Sequence, residues 1–465
     1  MQAGSIVFAV AHNSRRTDST IAVVHALLAQ GAIGSKYENI AQVTRLSRRT
    51  VATVMGDLRK RALVANGPKR LGPAWGGVVS VALGTESCRA GWIDANGQLF
   101  EETEHEPLPE QTKQPPSMLL QRISHITWDV LNRAKRNPKL LHDGHLPVIG
   151  LATAWPSPVR GSMRTAGTIL HPDWAKHDQP TLPAAVAQAV NFPPERTHAL
   201  NDANAHAMAV VFDRARERAL DRDDNAGRIE LIIRLGGKLG AATMIGAEHR
   251  RARLSFIDSS LLGGARNLAG ELAHLPVDQA VVEELNDRSS WSDGLAPLSM
   301  SWTCSCGQTG HLGALATGTA WFRRMAASGI PVEPLHEGVL RGAVSETGAT
   351  LDRVKDPRMV YALEDIGRLI GRALTAPTLL LDPHSITLTG SFAVEQVRKG
   401  LETEQEMLRH VFGDAVSVQT AARDQPHRYL GVRGAALAVI RRHIYRRLDE
   451  HLTTDRPLDQ LTFSM

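Results

Sequence analysis

Two thiols one residue apart, beside paired glycines and an imidazole, stand in Cys304-Ser305-Cys306-Gly307-Gln308-Thr309-Gly310-His311. Thiolates and imidazoles are the donors that zinc prefers and that magnesium and calcium do not, so zinc is the expected metal. The chain has three cysteines in all. A core cysteine behaves as an isolated small hydrophobe, so two in Cys-x-Cys read better as ligands than as packing. A closed zinc shell needs four donors, and His274, three residues beyond Glu271 in Gly270-Glu271-Leu272-Ala273-His274, is the candidate for the fourth. The expected set is His274, Cys304, Cys306 and His311, with a structural role for the ion. Cys88, in a strand-like segment, is expected to be buried and inert.

A second chemical element is Leu200-Asn201-Asp202-Ala203-Asn204-Ala205. Asn201 and Asp202 are candidates for contact with a small ligand. The plainer role for Asn201 and Asp202 is to cap a helix starting at Ala203.

The chain that must position these groups has 465 residues, 43% apolar and 5% aromatic, enough for two or three domains with ample core. The longest early apolar run, Ile6 to Ala11, is too short to span a bilayer and has no basic residues before it, so no signal peptide or membrane anchor is expected. Few cysteines and no disulfide pattern agree with a reducing, cytoplasmic location. The sequence shows no internal repeat and no long low-complexity tract.

The net charge of +5 is unevenly divided. Residues 1–75 hold eleven Lys or Arg against three acids, a net +8, which leaves −3 for the remainder. A basic head on a mildly acidic body points to a polyanion partner for the head alone. Within it, Ser19 can start a helix with apolar Ile21, Val24, Leu27 and Leu28 that Gly31 ends. Ser35 precedes a second with Tyr37, Ile40, Ala41 and Val43, closed by a turn through Arg45 and Leu46. Ser47 can cap a third, in which Val51, Val54, Met55 and Leu58 form the buried stripe and Arg48, Arg49, Thr50 and Thr53 face outward. Short polar and basic side chains at a helix start suit the major groove. Leu63-Val64, an Asn66-Gly67 turn and Lys69-Arg70 then read as a small β-wing with a basic tip. The expected DNA-contacting set is Arg45, Ser47, Arg48, Arg49, Thr50, Thr53, Lys69 and Arg70.

Gly-Glu-x-x-His followed by Cys-x-Cys-Gly-x-x-Gly resembles the signature of the ROK family of bacterial repressors and sugar kinases, and the likeness runs from about Thr20 to Ala438. It implies an α/β protein: a winged helix-turn-helix followed by a two-lobed, actin-like fold. The implied organisation is a head at 1–75, a first lobe at 76–200 completed by a helix at 434–452, and a second lobe with the zinc motif at 201–433. In that family a histidine and three cysteines hold the zinc; here His311 replaces the last cysteine, and Gly313 replaces a glutamate that contacts sugar. The Asn201-Asp202 pair is similar to the family's Asn-Asp-Ala-Asn box, whose aspartate is the general base of the enzymes.

The phosphate-binding elements depart further from the kinases. The aspartate expected before Leu83-Gly84 is Ala82, and the loop Gly-Thr-Gly-Ile-Gly-Ala-Gly becomes Gly236-Gly237-Lys238-Leu239-Gly240-Ala241-Ala242. A methyl group cannot hold a hydrated magnesium, and Lys238 adds bulk where the backbone should approach phosphate. Family Pro-Gly-Pro-Val-Asp becomes Pro156-Ser157-Pro158-Val159-Arg160, and a family asparagine falls on His171. Leu388-Thr389-Gly390-Ser391 resembles the strand and turn near the adenosine. The resemblance therefore implies a DNA-binding regulator, a repressor of the ROK type, with Asn201, Asp202, Glu271 and His274 around a sugar-like or other small polar effector. Double-stranded operator DNA and a homodimeric or homotetrameric assembly follow as expected partners, with zinc as cofactor. The alternative is a ROK-type sugar kinase carrying a regulatory head; a third reading is a protein-binding adaptor with an empty cleft.

Overall fold

The computed structural model describes residues 19–20, 22–24, 26–27, 36–61, 63–65, 71–84, 87–105, 114–156, 181–218, 229–245, 260–263, 268–289, 294–332, 335, 344–412, 416–421 and 429–454. It is an α/β protein in which a helical head precedes two lobes, each built on a five-stranded sheet.

In the head, the described residues between 19 and 27 are helical, and Val23, Val24, Ala26 and Leu27 are buried. The next helix, Tyr37–Thr44, starts after Lys36, which offers no side-chain cap, and ends where Arg45 turns left-handed at φ 56°. The third, Arg48–Lys60, is capped as its sequence predicts: Ser47 Oγ accepts a hydrogen bond from Thr50 N at 3.0 Å. Its buried stripe is Val51, Val54, Met55 and Leu58. An isolated antiparallel bridge between Val64 and Leu71 forms the base of the wing. Asn66, Gly67, Lys69 and Arg70, the predicted tip, lie outside the described residues.

The first sheet has the order β3-β2-β1-β4-β5, with β1 Gly77–Leu83, β2 Cys88–Asp94, β3 Leu99–His105, β4 Val148–Trp155 and β5 Thr197–Asn201. β1 pairs antiparallel to β2 and parallel to β4, which in turn runs parallel to β5. Strand β1 reads Gly-Val-Val-Ser-Val-Ala-Leu without polar alternation because both its faces are covered, by the helices Pro116–Ala134 and Leu430–Thr454.

The second sheet repeats this plan as β8-β7-β6-β9-β10, with β6 Ile229–Leu235, β7 Leu239–Ile245, β8 Ser260–Leu261, β9 Ser385–Thr389 and β10 Ser417–Thr420. Each lobe is an antiparallel meander followed by two parallel strands. The sequence gives no hint of this repeat, because strand pairing is satisfied by backbone groups that any apolar sequence supplies.

Two helices tie the parts together. Asp202–Arg218 packs on β7 of the second sheet and against Leu430–Thr454, with Ala207, Val211 and Phe212 meeting Ile232, Met244 and Leu437. The two helices nearly touch at Gly434, where a Cβ would lie 1.5 Å from the Ala205 carbonyl oxygen, so only glycine permits the crossing. Arg433 locks the pair with a two-pronged bond to Asp213 at 2.7 and 2.9 Å. Further along the same helix, Ile440, Ile444 and Leu448 belong to one continuous apolar core with Leu58, Leu63 and Trp75 of the head. Trp75 is fully buried, donates from Nε1 to the Leu63 carbonyl at 2.9 Å, and carries the Arg447 guanidinium over its ring at 4.9 Å.

Candidate functional site

A cleft of about 280 Å³ lies between the lobes, at the carboxyl ends of β4, β5 and β6. This is the end of parallel strands where α/β folds place their ligands. Asn201 and Asp202 open it from the first lobe. Asn201 Oδ1 accepts from the backbone N–H of Ala203 at 2.8 Å and of Asn204 at 3.2 Å, so it is the cap of the helix Asp202–Arg218. Asp202 does not share that capping role. Its Oδ2 accepts from Arg234 Nη1 at 2.5 Å, an ion pair that spans the two lobes because Arg234 sits in β6. The sequence reading missed Arg234. Its signal was there: a single charge in the apolar run Leu231-Ile-Ile-Arg-Leu just before a glycine pair has no place in a core unless it faces a partner.

The opposite wall includes His274 and Cys304, two of the four predicted metal ligands. A tight turn is built from Cys304 N to the Gln308 carbonyl at 2.8 Å and Gly307 N to the Cys304 carbonyl at 2.9 Å, with Gly307 at φ 88° and Gly310 at φ 68°. Both glycines take the left-handed backbone that the turn requires. The segment after it is laced to the His274 segment by Val277 N to the Gly310 carbonyl at 2.9 Å and Leu312 N to the Leu275 carbonyl at 2.8 Å. This lacing sets His311 beside His274, with ring centroids 5.9 Å apart. One donor atom from each of His274, Cys304, Cys306 and His311 lies within 4.8 Å of the others, so the cluster could hold a metal ion. His311 Nδ1 is 3.2 Å from Cys306 Sγ, and His274 Nδ1 is 3.7 Å from Cys304 Sγ. Two thiols and two imidazoles in this grouping fit a tetrahedral shell.

His274 has two faces. With Nδ1 toward the thiols, its Nε2 is 3.7 Å from Glu271 Oε2. A carboxylate behind a metal-binding imidazole fixes its tautomer and orientation. Glu271 lines the cleft, and burial pushes its carboxyl above the usual range, against the pull of His274. Gly313, where the family has glutamate, also lines the cleft. A Cβ there would come within 2.9 Å of the Ala273 carbonyl and 3.4 Å of Cys304 Sγ.

The glycine turn between β6 and β7 closes the third side. The helix Gly318–Ala327 points its start at this turn, yet its donors are taken: Gly318 N bonds to the Gly236 carbonyl at 2.8 Å, Thr319 N to the Gly237 carbonyl at 3.2 Å, and Ala320 N to Thr317 Oγ1 at 3.2 Å. Thr319 Oγ1 adds a bond to the Gly237 carbonyl at 2.6 Å. A helix start with satisfied donors does not offer the amide cradle that phosphate uses. Gly390, after β9, holds φ 100° with the Leu235 carbonyl oxygen 2.2 Å from where its Cβ would be.

The remaining predicted residues fall as follows. Ala82 packs with the core shared by head and first lobe. Of the drifted sugar positions, Pro156 lines the cleft, and 157–160 and 171–174 lie outside the described residues. Cys88 is buried, and burial pushes its thiol up to about 12. Of the expected DNA-contacting set, Arg45, Arg48, Arg49 and Thr53 are exposed at the turn and first two turns of Arg48–Lys60, and Lys69 and Arg70 lie outside the described residues. Arg48 pairs with Glu38 at 2.9 Å on the open surface, and Thr53 Oγ1 bonds back to the Arg49 carbonyl at 3.0 Å. Ser47 serves as cap and shares its hydroxyl with Thr50 Oγ1 at 2.8 Å. No helix among the described residues is long and apolar enough to cross a membrane.

Residues 254–442 match the ROK family in sequence. The chain carries a ROK-family domain. Among solved structures, the ROK family transcriptional regulator described as a homologue of the E. coli MLC protein superposes with a TM-score of 0.55 and 15% identity, covering 93% of this chain and 99% of that one. The ROK family glucokinase from Streptomyces griseus, in complex with glucose and AMPPNP, superposes with a TM-score of 0.50 and 21% identity, covering 78% of this chain and 98% of that one. At these identities the likeness establishes the fold: a winged helix-turn-helix head before the two-lobed actin-like body of this family. A comparison with curated protein sequences finds no match.

Proposed function

We propose that this ROK-family protein is a cytoplasmic transcriptional repressor that binds a near-palindromic operator as a homodimer or homotetramer and answers to a small sugar-like effector in its cleft. The observation that carries the reading is the capped helix Arg48–Lys60, which presents Arg48, Arg49 and Thr53 outward from a head of net charge +8. Likeness to a regulator over 93% of the chain, against 78% for the glucokinase, supports it.

The Asn201-Asp202 pair favours the other reading, a sugar kinase with a regulatory head. Three features of the two-lobed body weigh against it. Ala82 offers no carboxylate to a magnesium nucleotide. The first amides of the helix Gly318–Ala327 are spent on the Gly236 and Gly237 carbonyls, and Asp202, the would-be base, is bound to Arg234.

Zinc on His274, Cys304, Cys306 and His311 would be structural, since four protein ligands leave no open position. The chain's own part is to hold the Cys304–His311 turn against the Glu271–His274 segment, so that Glu271 faces the effector. Effector binding alters DNA affinity only as far as it prefers one arrangement of the heads. The helix Leu430–Thr454, about 37 Å long at 1.5 Å per residue, runs from Gly431 beside Ala82 near the carboxyl end of β1 to Arg447 on Trp75 and so joins the first lobe to the head.

The test is selection of duplexes from a random-sequence pool by the full chain, together with a phosphorylation assay on glucose, mannose and N-acetylglucosamine. The reading expects an enriched, near-palindromic sequence and no turnover. Ordinary kinase turnover with no enriched sequence would reverse it.

A further inference from the structure

Cys304 and Cys306 can do more than hold a metal. They supply both sulfur donors of the cluster, and the remaining cysteine of the chain, Cys88, stands in β2 of the other lobe. Cys88 is fully buried, and burial pushes its thiol up to about 12, so it is inert toward oxidants in water. Any thiol chemistry of this chain therefore falls on the pair.

The two sulfurs are placed to bond with each other. Gly307 N donates to the Cys304 carbonyl at 2.9 Å and so closes a β-turn over residues 304–307, which folds the chain back on itself. The Sγ atoms of Cys304 and Cys306 lie within 4.8 Å of each other. A disulfide, about 2 Å between sulfurs, is reached by side-chain rotation and a small closing of the turn. The loop has room for it: Ser305, Gly307, Gln308 and Thr309 are exposed, and a Cβ on Gly307 would meet nothing within 4 Å. Cys306 is half-buried in this exposed loop and open to a reagent as small as a peroxide, whereas Cys304 is buried at the cleft wall. One sulfur is thus placed to be attacked and the other to resolve the product.

We infer that Cys304 and Cys306 form a peroxide-sensitive thiol switch, in which a disulfide between them releases the zinc. The Cys306 thiolate attacks the O–O bond of hydrogen peroxide, giving a sulfenic acid and hydroxide. The Cys304 thiolate attacks the sulfenic sulfur, forming the S–S bond and expelling a second hydroxide. The two sulfurs lose two electrons and the peroxide gains them. His311 makes the release complete. Where a third cysteine stands in its place, as the family likeness implies, a disulfide leaves one thiolate with one imidazole. Here it leaves only the imidazoles of His274 and His311, too few donors for a zinc shell. The loop is then held to the His274 segment by the backbone bonds at Val277 and Leu312, and His274 no longer gives Glu271 a fixed partner. The inference rests on the zinc reading of the cluster and makes the cleft side of the molecule the side that senses oxidation.

Hydrogen peroxide added to the zinc-loaded full chain tests it, with zinc release followed by a chromophoric chelator and thiols counted after denaturation. The count is expected to fall from three to one, with the chain lighter by about 2 Da, the mark of one disulfide, and still single on a non-reducing gel. Zinc should appear in step with the lost thiols, and dithiothreitol with added zinc should restore both. Hydrogen exchange is expected to quicken at residues 271–277 and 302–312 and to stay unchanged at 48–60. Cys88→Ala, which leaves the pair intact, is expected to fall from two thiols to none with the same zinc release. Zinc retained after the pair is oxidised, oxidation that runs to sulfinic acid or links two chains, or exchange unchanged at both cleft segments would overturn the inference. A chain that takes up no zinc before peroxide is added would instead overturn the zinc reading on which it rests.

Discussion

The two ends of the first lobe differ in how they are held. At the amino ends of β1, β4 and β5 the head is fused to the lobe by an apolar seam, in which Trp75, Leu63, Ile444 and Leu448 share one core and Asn96 clasps Leu71 through both backbone groups at 2.8 and 3.0 Å. At the carboxyl ends the lobes meet across a polar cleft, joined by the Asp202–Arg234 pair and flanked by the metal cluster. A packed apolar seam resists small displacement, whereas a partly exposed ion pair can be remade by a ligand. The head should therefore move with the first lobe as a unit, and effector-driven change should arise between the lobes.

The largest effects should come from opening the seam. Trp75→Ala removes a fully buried ring and one of the two hydrogen bonds that the Leu63 carbonyl accepts, and it is expected to cost about 3–5 kcal/mol, read as a fall in Tm with weakened DNA binding. A Trp75→Ala protein of unchanged Tm would mean that head and lobe are independent. On the cleft side, Cys306→Ser should lose the metal, as elemental analysis will show, and should blunt the effector response while DNA affinity stays close to that of the parent. Equal loss of both functions would deny the separation of the two ends.

Gly434→Ala probes the helix crossing between them. A methyl group aimed at the Ala205 carbonyl forces the helices apart, and overpacking of this kind costs about 1–3 kcal/mol or more. Its distinctive outcome is a larger loss in the coupling between effector and DNA than in either affinity alone. Arg234→Ala should change stability by about 1 kcal/mol or less, because its pair with Asp202 is partly exposed.

The one effect that is absent at neutral pH and grows only in acid is a pH dependence at the seam. His443 is pushed down to about 3, first by burial and then by Arg447, Arg196 and Arg446. Protonation below about 6.5 therefore favours the unfolded chain. The stability contributed by neutral His443 is complete above that pH and declines as pH falls toward 3. His443→Leu should flatten the fall in Tm over this window, and an identical slope in the two proteins would remove His443 as its source.

Much of this molecule was legible because the chemistry was local. The cap at Ser47, the stripe Val51, Val54, Met55 and Leu58, and the donors within Cys304–His311 lie within a few residues of their partners, so spacing alone reported them. His274 needed a resemblance as well, since the strand-like pairing that brings it to His311 leaves no trace in sequence. Arg234 and the plugged glycine turn were hidden for the same reason: Asp202 is 32 residues from Arg234, and Gly237 is 82 from Thr319. The doubled sheet plan was invisible because β1 and β6 share only an apolar run before a glycine turn. Asp202 was misplaced as a cap because Asn201 had already taken the two free amides of that helix.

The central claim is that the head binds DNA through the face of Arg48–Lys60. Fluorescence anisotropy of the full chain on its selected duplex, over a range of salt, tests it with the double variant R48E/R49E, whose two side chains are exposed and outside the core. The account predicts tight binding by the parent with a steep negative salt slope, about 0.9 per phosphate contacted, and at least a hundredfold weaker binding by the variant at unchanged Tm and metal content. Equal affinity and equal salt slope in the two proteins would contradict it.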